Sequence, residues 1–278
     1  LTVHVAAGGE PVIEARINGE PVRLLLALEA PRFVMMNGGA ADRLGLRANP
    51  VLSQGVSIDM AGNHVRGRTG RATISTSSDE FRQRVIWFPD LELTDAADGL
   101  IGPAAFRNLE RLTITFEGGS EAVSEHVFAG RRGMEWTGEA TVSGLEMRVG
   151  FSLLQPSEIG TGHHRRLERA GLIAAADGSL GLEPVGFIGR MLAYRHENSG
   201  LAPGGIAPET FIRFARRQEV AAEGRRADDG VERIVVSGED ASPDRRVSLT
   251  LGRETLSQCA EIAFDYRTDA ITVRCPGG

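Results

Sequence analysis

Two carboxylates sit shortly after apolar, strand-like runs in this 278-residue chain: Glu29 after VRLLLAL, and Glu158 after VGFSLLQPS, with Gln155 three residues before it. Two carboxyl groups within mutual hydrogen-bond reach, or sharing one water, perform general acid–base chemistry. Glu29, Gln155 and Glu158 are therefore the candidate polar residues of a cleft, the alternative being solvated glutamates on a rim. Asp98, in DGLIG, reads as a turn residue, since Asp-Gly favours turns. His163 and His164 in GTGHHRRLER are adjacent, and adjacent helical residues point in different directions. No Cys, Asp or Glu beside them completes a familiar ligand spacing, so they read as the exposed start of a helix; His4, His64, His126 and His196 are scattered. No metal and no cofactor are expected. Gly-x-Ser-x-Gly is absent from the sequence, and no histidine lies near the two cysteines, so nucleophilic catalysis has no candidate.

The elements that must position these residues emerge from an internal repeat. NGEPVRLLLALEAP from Asn18 and SGLEMRVGFSLLQP from Ser143 superimpose at an offset of 125, sharing Gly19/Gly144, Arg23/Arg148, Leu28/Leu153 and Pro31/Pro156. ADRLGL (Ala41 to Leu46) matches LERAGL (Leu167 to Leu172) at an offset of 126, and the stretches opening at Ile101 and Leu251 match at 150. Three matches in one order imply two homologous lobes, Leu1–Ser120 and Glu121–Gly278. Each opens with a hairpin strand and closes with a short helical turn leading into a strand. The growth of the offset places an insertion in the second lobe within residues 195–245, centred on the polar Arg216–Arg233 stretch. Gly204–Arg217 reads as the best helix, with Pro208 and Glu209 at its start and Phe211, Ile212, Phe214 and Ala215 at helical spacing.

The ordered motifs NGEPVRLLLALEA, AADRLGL and DGLIGPAAF, followed by LTITFEGG, resemble the retropepsin-like and pepsin-like aspartic proteases. Lobes of that family run NG-x-PVRFLLDTGA, then a helix ending LARRLGL, then DG-(I/L)-(I/L)-G. The resemblance spans nearly all of the first lobe and both ends of the second. It implies a mainly β fold of two lobes related by a pseudo-twofold, with a few short helices, a cleft between the lobes, and a covering hairpin near Ala61–Gly70. It also locates the departure. The family places one catalytic aspartate per lobe, and here those positions hold Ala27, within Ala27-Leu28-Glu29, and Ser152, within Ser152-Leu153-Leu154. Neither side chain serves as a general base at neutral pH, and no Asp-Thr-Gly or Asp-Ser-Gly occurs anywhere in the chain. No catalytic residue is expected.

Composition narrows the partners. A net charge of −6 and short basic clusters interleaved with acids give no electrostatic footprint for nucleic acid. All 31 basic residues are arginine, a bias that fits a GC-rich bacterial genome. No apolar run approaches the ~18 to 20 residues that span a bilayer, and LTVHVAAGGEPVIEA lacks the charged start and apolar block of a signal peptide. Cys259 and Cys275 flank AEIAFDYRTDAITVR; a hairpin turning near Arg267 sets them opposite one another, as a disulfide or as two buried thiols. A disulfide points to an oxidising compartment, periplasmic or secreted. The expected function is a catalytically inactive, protease-like module of a bacterial cell envelope that binds an extended peptide or protein. The alternatives are a divergent hydrolase using relocated carboxylates and a purely structural envelope component.

Overall fold

The computed structural model describes residues 1–51, 56–60, 63–118, 123–160, 162–176, 180–185, 189–215 and 246–276. The first strands are β1 (Thr2–Val5), β2 (Val12–Ile17), β3 (Glu20–Leu26), β4 (Val34–Met36), β5 (Ser57–Met60), β6 (Asn63–Arg66), β7 (Arg68–Ser75), β8 (Glu80–Trp87), β9 (Gly99–Ile101) and β10 (Arg111–Phe116). They are followed by β11 (Val123–Arg132), β12 (Trp136–Val142), β13 (Leu145–Phe151), β14 (Glu158–Ile159), β15 (Leu180–Val185), β16 (Gly189–Glu197), β17 (Thr210–Phe214), β18 (Val247–Leu251), β19 (Glu261–Asp265) and β20 (Ala270–Pro276). The helices are short: α1 (Gly38–Arg43), α2 (His164–Arg169) and α3 (Arg253–Leu256). The protein is thus mainly β, with a closed six-stranded barrel, a twelve-stranded sheet and the β5–β6 pair. Two compact units divide the chain: Leu1–Ile58, His64–Thr137 and Gln258–Gly278 in unit 1, Asp59–Asn63 and Gly138–Ser257 in unit 2.

In unit 1 the barrel order is β2-β3-β9-β4-β8-β7. Asn18 and Gly19, at φ 52° and 90°, make the two-residue turn of the β2–β3 hairpin, where two consecutive positive φ values match the twist of the flanking strands. Along β3 the burial begins as alternation, Val22 in and Arg23 out, and becomes continuous from Leu24 to Leu26, where β9 joins in parallel and pairs Leu24 with Gly99, Leu25 with Leu100 and Leu26 with Ile101. A strand covered on both faces needs no polar alternation. Helix α1 ends with Gly45 at φ 59°, whose N–H and that of Leu46 reach back to Asp42 O and Ala41 O, a left-handed glycine stop.

In the neighbouring strands of unit 1, β1 and β20 alternate in and out at period two, while β19 is buried continuously from Ile262 to Phe264. Leu112, Ile114, Ile262, Phe264, Ile271, Val273 and Phe128 are buried, while Arg111, Arg274 and Val127 lie exposed on the opposite face. Strand β1 runs parallel to β10, β10 antiparallel to β19 with Thr113 opposite Ala263, and β20 antiparallel to both β19 and β11. Trp136 packs against Phe264 and Tyr266 at centroid distances of 5.2 and 4.7 Å, and the Arg132 guanidinium lies over the Trp136 and Tyr266 rings. Tyr266 donates its hydroxyl to Pro103 O at 2.7 Å; burial pushes that phenol well above its ordinary pKa, so it remains a donor. Cys259 and Cys275 form a disulfide. The β19–β20 turn is centred between Arg267 and Thr268, since Asp265 pairs with Ala270, half a residue beyond the position read from the sequence.

The main segment of unit 2 opens within β12, in the β12–β13 hairpin turned by Ser143 and Gly144 at φ 50° and 76°. Strand β18 joins β13 in parallel, pairing Val149 with Leu249, Gly150 with Thr250 and Phe151 with Leu251. Strand β14 lies between β18 and β17, and β16 and β15 complete the antiparallel run. Helix α2 closes with Gly171 at φ 68°, the Gly171 and Leu172 N–H groups reaching Glu168 O and Leu167 O.

One element differs from the sequence reading. The described part of Gly204–Arg217 is not a helix: a 3-10 turn occupies Pro203–Gly205, and Thr210–Phe214 is strand β17, while residues 216–217 lie outside the described residues. The spacing of Phe211, Ile212 and Phe214 fits a helical stripe, but it fits equally a strand buried on both faces. Phe211, Ile212 and Phe214 are all buried, and Arg213 between them is buried with its guanidinium 4.6 Å from the Tyr194 ring centroid. Burial of every residue from Phe211 to Phe214, together with aromatic and β-branched character, selects the strand. The expected insertion at Arg216–Arg233 and the first residues of the expected covering hairpin, 61–62, lie outside the described residues; Asn63–Arg66 and Arg68–Gly70 fall in β6 and β7.

Candidate functional site

The end of β3 in unit 1 is a tight turn with no acid at its head. Ala27 donates its N–H to Ile101 O at 3.0 Å, and Ala30 donates to Ala27 O at 3.0 Å. Ala27, Leu28 and Ala30 are buried and Glu29 is half-buried. Gly102 follows β9 directly under this turn. A Cβ there would overlap Ala30 O and lie 2.9 Å from Ala30 C and 3.2 Å from Ala27 O, so the close approach of two backbones explains the glycine. Asp98 is a fastener, not an acid for chemistry: its carboxylate accepts from Arg23 N at 2.9 Å and from Arg43 at 2.7 Å. It thereby ties β3 to α1.

Asn37 completes this local frame and was not singled out from the sequence. Its side-chain NH₂ donates to Thr94 O and Ala97 O at 2.8 and 2.9 Å, and its side-chain oxygen accepts from Leu93 N at 2.8 Å. It anchors the loop leading to β9 and leaves α1 without a side-chain cap.

The corresponding strand end in unit 2 is more polar. Ser152 donates its N–H to Leu251 O at 2.9 Å, and its Oγ accepts from Leu154 N and Gln155 N at 3.1 and 3.2 Å. The side chain is fully buried. Such an Oγ bridging two downstream N–H groups holds a turn as a helix cap does. Ser157, also buried, accepts from Gly252 N at 2.9 Å and shares a hydrogen bond with the Thr255 hydroxyl at 3.2 Å. A Cβ on Gly252 would overlap Pro156 C and Ser157 N and stand 2.7 Å from Gln155 O. Gln155 donates to Glu158 at 3.3 Å. Burial pushes the Glu158 carboxyl up to about 7 from 4.5, so it holds a proton at mildly acid pH.

Removing the Ser152 hydroxyl leaves two turn N–H groups without their acceptor. Ser152→Ala is expected to cost about 1 to 2 kcal/mol, read as a lower urea midpoint at unchanged slope; an unmoved midpoint contradicts the capping role assigned to Oγ.

The histidines are less scattered than their sequence positions suggest. His164 at the start of α2 lies with its ring 6.2 Å from that of His196. His196 is buried, with Nδ1 at 3.0 Å from Ala174 O and 3.6 Å from Glu168 Oε1. The His164–Glu168 spacing of four along a helix was the available signal; nothing local ties His196 to it. Among the described residues no group of three His, Cys, Asp or Glu side chains is arranged to hold a metal ion.

Chemically, each strand end offers a buried turn, a glycine beneath it and one half-buried carboxyl nearby, Glu29 or Glu158. Among the described residues, Glu158 has Gln155 as its hydrogen-bond partner. No family model matches the chain, and no curated protein matches it. Among solved structures, the chain is similar to the EIAV protease complexed with the inhibitor HBY-793, at 20% identity over 34% of this chain and 81% of that one, with a TM-score of 0.27. That similarity covers about a third of the chain.

Proposed function

We propose that the protein is a non-catalytic, aspartic-protease-like binding module built from two duplicated lobes, working in an oxidising bacterial compartment. The carrying observation is that the turn architecture persists where the acids do not. Ala27 and Ser152 bond through their N–H groups to Ile101 O and Leu251 O, positions related by the same offsets of 125 and 150 that the sequence repeat gave. Gly102 and Gly252 sit beneath the two turns, and Asn18-Gly19 and Ser143-Gly144 turn the two hairpins with the same positive φ pattern. The β3–β9 and β13–β18 registers carry the same offsets, which supports duplication. The disulfide supports export.

An extended peptide held by main-chain pairing and side-chain pockets, and left uncut, is the ligand class this reading assigns. General acid–base assistance contributes about 10²- to 10⁴-fold, and the dyad positions hold groups that cannot give it. Purified protein is expected to leave a mixed-sequence peptide library uncut at acid and neutral pH, and to retain members of the same library on a column. Ala27→Asp alone is expected to restore no cleavage, because Ser152 still leaves the second acid missing. Pepstatin-sensitive cleavage at acid pH, abolished by Glu29→Gln, overturns the inactive reading. No retention of any library member returns the protein to a scaffold role.

The divergent-hydrolase reading keeps one observation in its favour, the Glu158 carboxyl raised to about 7. Cleavage abolished by Glu158→Gln would select it.

A further inference from the structure

Strands β7 and β8 form an antiparallel pair in the wall of the unit 1 barrel. Ala72 and Ile74 of β7 and Phe81, Gln83 and Val85 of β8 are buried, while Arg71, Thr73, Arg82 and Arg84 are exposed on the outer face. The register sets Arg71 directly opposite Arg84, and Thr73 directly opposite Arg82. Partners in register share a face with Cβ atoms about 4.5 to 5.5 Å apart, and diagonal neighbours lie about 7 to 8 Å apart. Three guanidiniums and one hydroxyl therefore form a compact square of hydrogen-bond donors open to solvent.

Like charges directly opposite one another on a sheet destabilise it. At other places in this chain charged residues in register meet the opposite sign: Glu14 with Arg23, Arg111 with Asp265, Glu139 with Arg148, and Glu261 with Arg274. Arg71 and Arg84 break that pattern. The ion pairs of exposed arginines lie elsewhere, at Arg23, Arg43, Arg111, Arg132, Arg195 and Arg246, and among the described residues no carboxylate pairs with Arg71, Arg82 or Arg84. Strand β7, RTGRATIS, contains no acid. On β8 the acid is Glu80, opposite Ser75 and one row beyond Thr73 and Arg82. That row also holds Arg16 of β2, in register with Ser75 and donating to Gly19 O at 2.9 Å. A repulsive pair without a compensating acid marks a position where something other than stability sets the residue types.

We infer that the Arg71, Arg82 and Arg84 face of the barrel docks on an anionic phospholipid surface, its guanidiniums taking the headgroup phosphates. Guanidinium forks match phosphate oxygens bidentately, and a phosphate between Arg71 and Arg84 turns their repulsion into shared attraction. The face is an outer wall with every cation exposed, where water and salt screen a single bound ion. A plane of many phosphates sums such contacts. A wrapped nucleic acid needs a longer basic track, whereas the net charge here is −6; a flat bilayer meets the basic face alone. The exposed large apolar side chains, Val51, Val127, Met134 and Leu182, lie off this face, so the contact is electrostatic and peripheral. The inference does not depend on the peptide-binding reading.

The test is co-sedimentation of the full chain with vesicles of equal parts phosphatidylcholine and phosphatidylglycerol, against vesicles of phosphatidylcholine alone. Binding is expected to the mixed vesicles at low salt, not to the neutral ones, and is expected to be lost at high salt. Each of Arg71→Gln, Arg82→Gln and Arg84→Gln is expected to lower partition about fivefold, the factor for one basic residue at an anionic surface. Arg111→Gln makes the same change in net charge off this face and is expected to leave partition unchanged. Arg84→Glu gives Arg71 an opposite charge in register and is expected to raise the urea midpoint while losing the vesicles, which separates lost docking from lost folding. Equal binding to neutral vesicles, none to either kind, or a loss with Arg111→Gln as large as with the other three overturns the proposal. So does displacement from the vesicles by inorganic phosphate but not by sodium chloride of equal ionic strength, which assigns the arginines to a free ion. Tighter arginine-dependent binding to double-stranded DNA than to the vesicles overturns it in favour of a nucleic acid.

Discussion

Gly102→Ala and Gly252→Ala are each expected to lower stability by about 3 kcal/mol or more, near the upper end for overpacking changes. The cause is the same at both sites. The atoms that a new Cβ would meet are backbone: Ala30 C and O beneath the first turn, Pro156 C, Ser157 N and Gln155 O beneath the second. A side chain could rotate away, but a turn pinned by its own hydrogen bonds cannot. The Ala27–Ala30 turn is held by Ala30 N to Ala27 O at 3.0 Å, and Gly252 N itself donates to Ser157 Oγ at 2.9 Å. Gly133→Ala is the control, since a Cβ there meets nothing nearer than Glu135 O at 3.7 Å. Urea titration of the three variants checks the expectation. A Gly102 or Gly252 variant as stable as the Gly133 variant would show that the turns yield, and would remove the argument that backbone contact preserved these glycines.

Opening the Cys259–Cys275 bridge is the second large effect. The bridge closes a loop of sequence separation 16, for which the loss of unfolded-chain entropy corresponds to about 3 kcal/mol. Both cysteines are buried, so reductant acts only through opening of unit 1, and the folded state is expected to resist mild reduction for longer than an exposed bridge would. The double variant Cys259→Ala, Cys275→Ala is expected to show the loss directly as a lower urea midpoint. If reduction frees two titratable thiols and the midpoint does not move, the bridge contributes nothing to stability and its value as a marker of an oxidising compartment weakens too.

What could be read from the sequence was local, and what could not was distant. Asn18-Gly19 and Ser143-Gly144 announce hairpins because few other pairs accept two consecutive positive φ values, and Gly45 and Gly171 announce helix ends for a related reason. The strand ends at Ala27 and Ser152 were legible as repeated motifs, and both lie buried in tight turns. Phe211-Ile212-Arg213-Phe214 misled because hydrophobic spacing separates helix from strand only when one face is wet. Here Arg213 is buried against Tyr194, so no wet face existed. Asn37 gave no warning, since the carbonyl it serves at Thr94 is 57 residues away. His196 likewise meets Ala174 across 22 residues. Ser152 was read as the loss of an acid; its second role, as acceptor for two turn amides, required coordinates.

The discontinuity of unit 1 bears on how the chain is made. Apart from the unit 2 residues of the β5–β6 region, strands β1 to β11 belong to unit 1 and lie in the first half of the sequence, while β19 and β20 of the same unit come from Gln258–Gly278. On the ribosome the barrel can close early, because all six of its strands lie before residue 102. The neighbouring sheet cannot. Until the last segment emerges, β10 presents an unpaired edge along Arg111–Phe116 and β11 lacks β20, for the whole time that unit 2 is synthesised. Unpaired edges on a partly formed sheet recruit other strands. Nascent chains stalled before Gln258 should therefore be the aggregation-prone species, and a holding chaperone would find its natural binding register on β10.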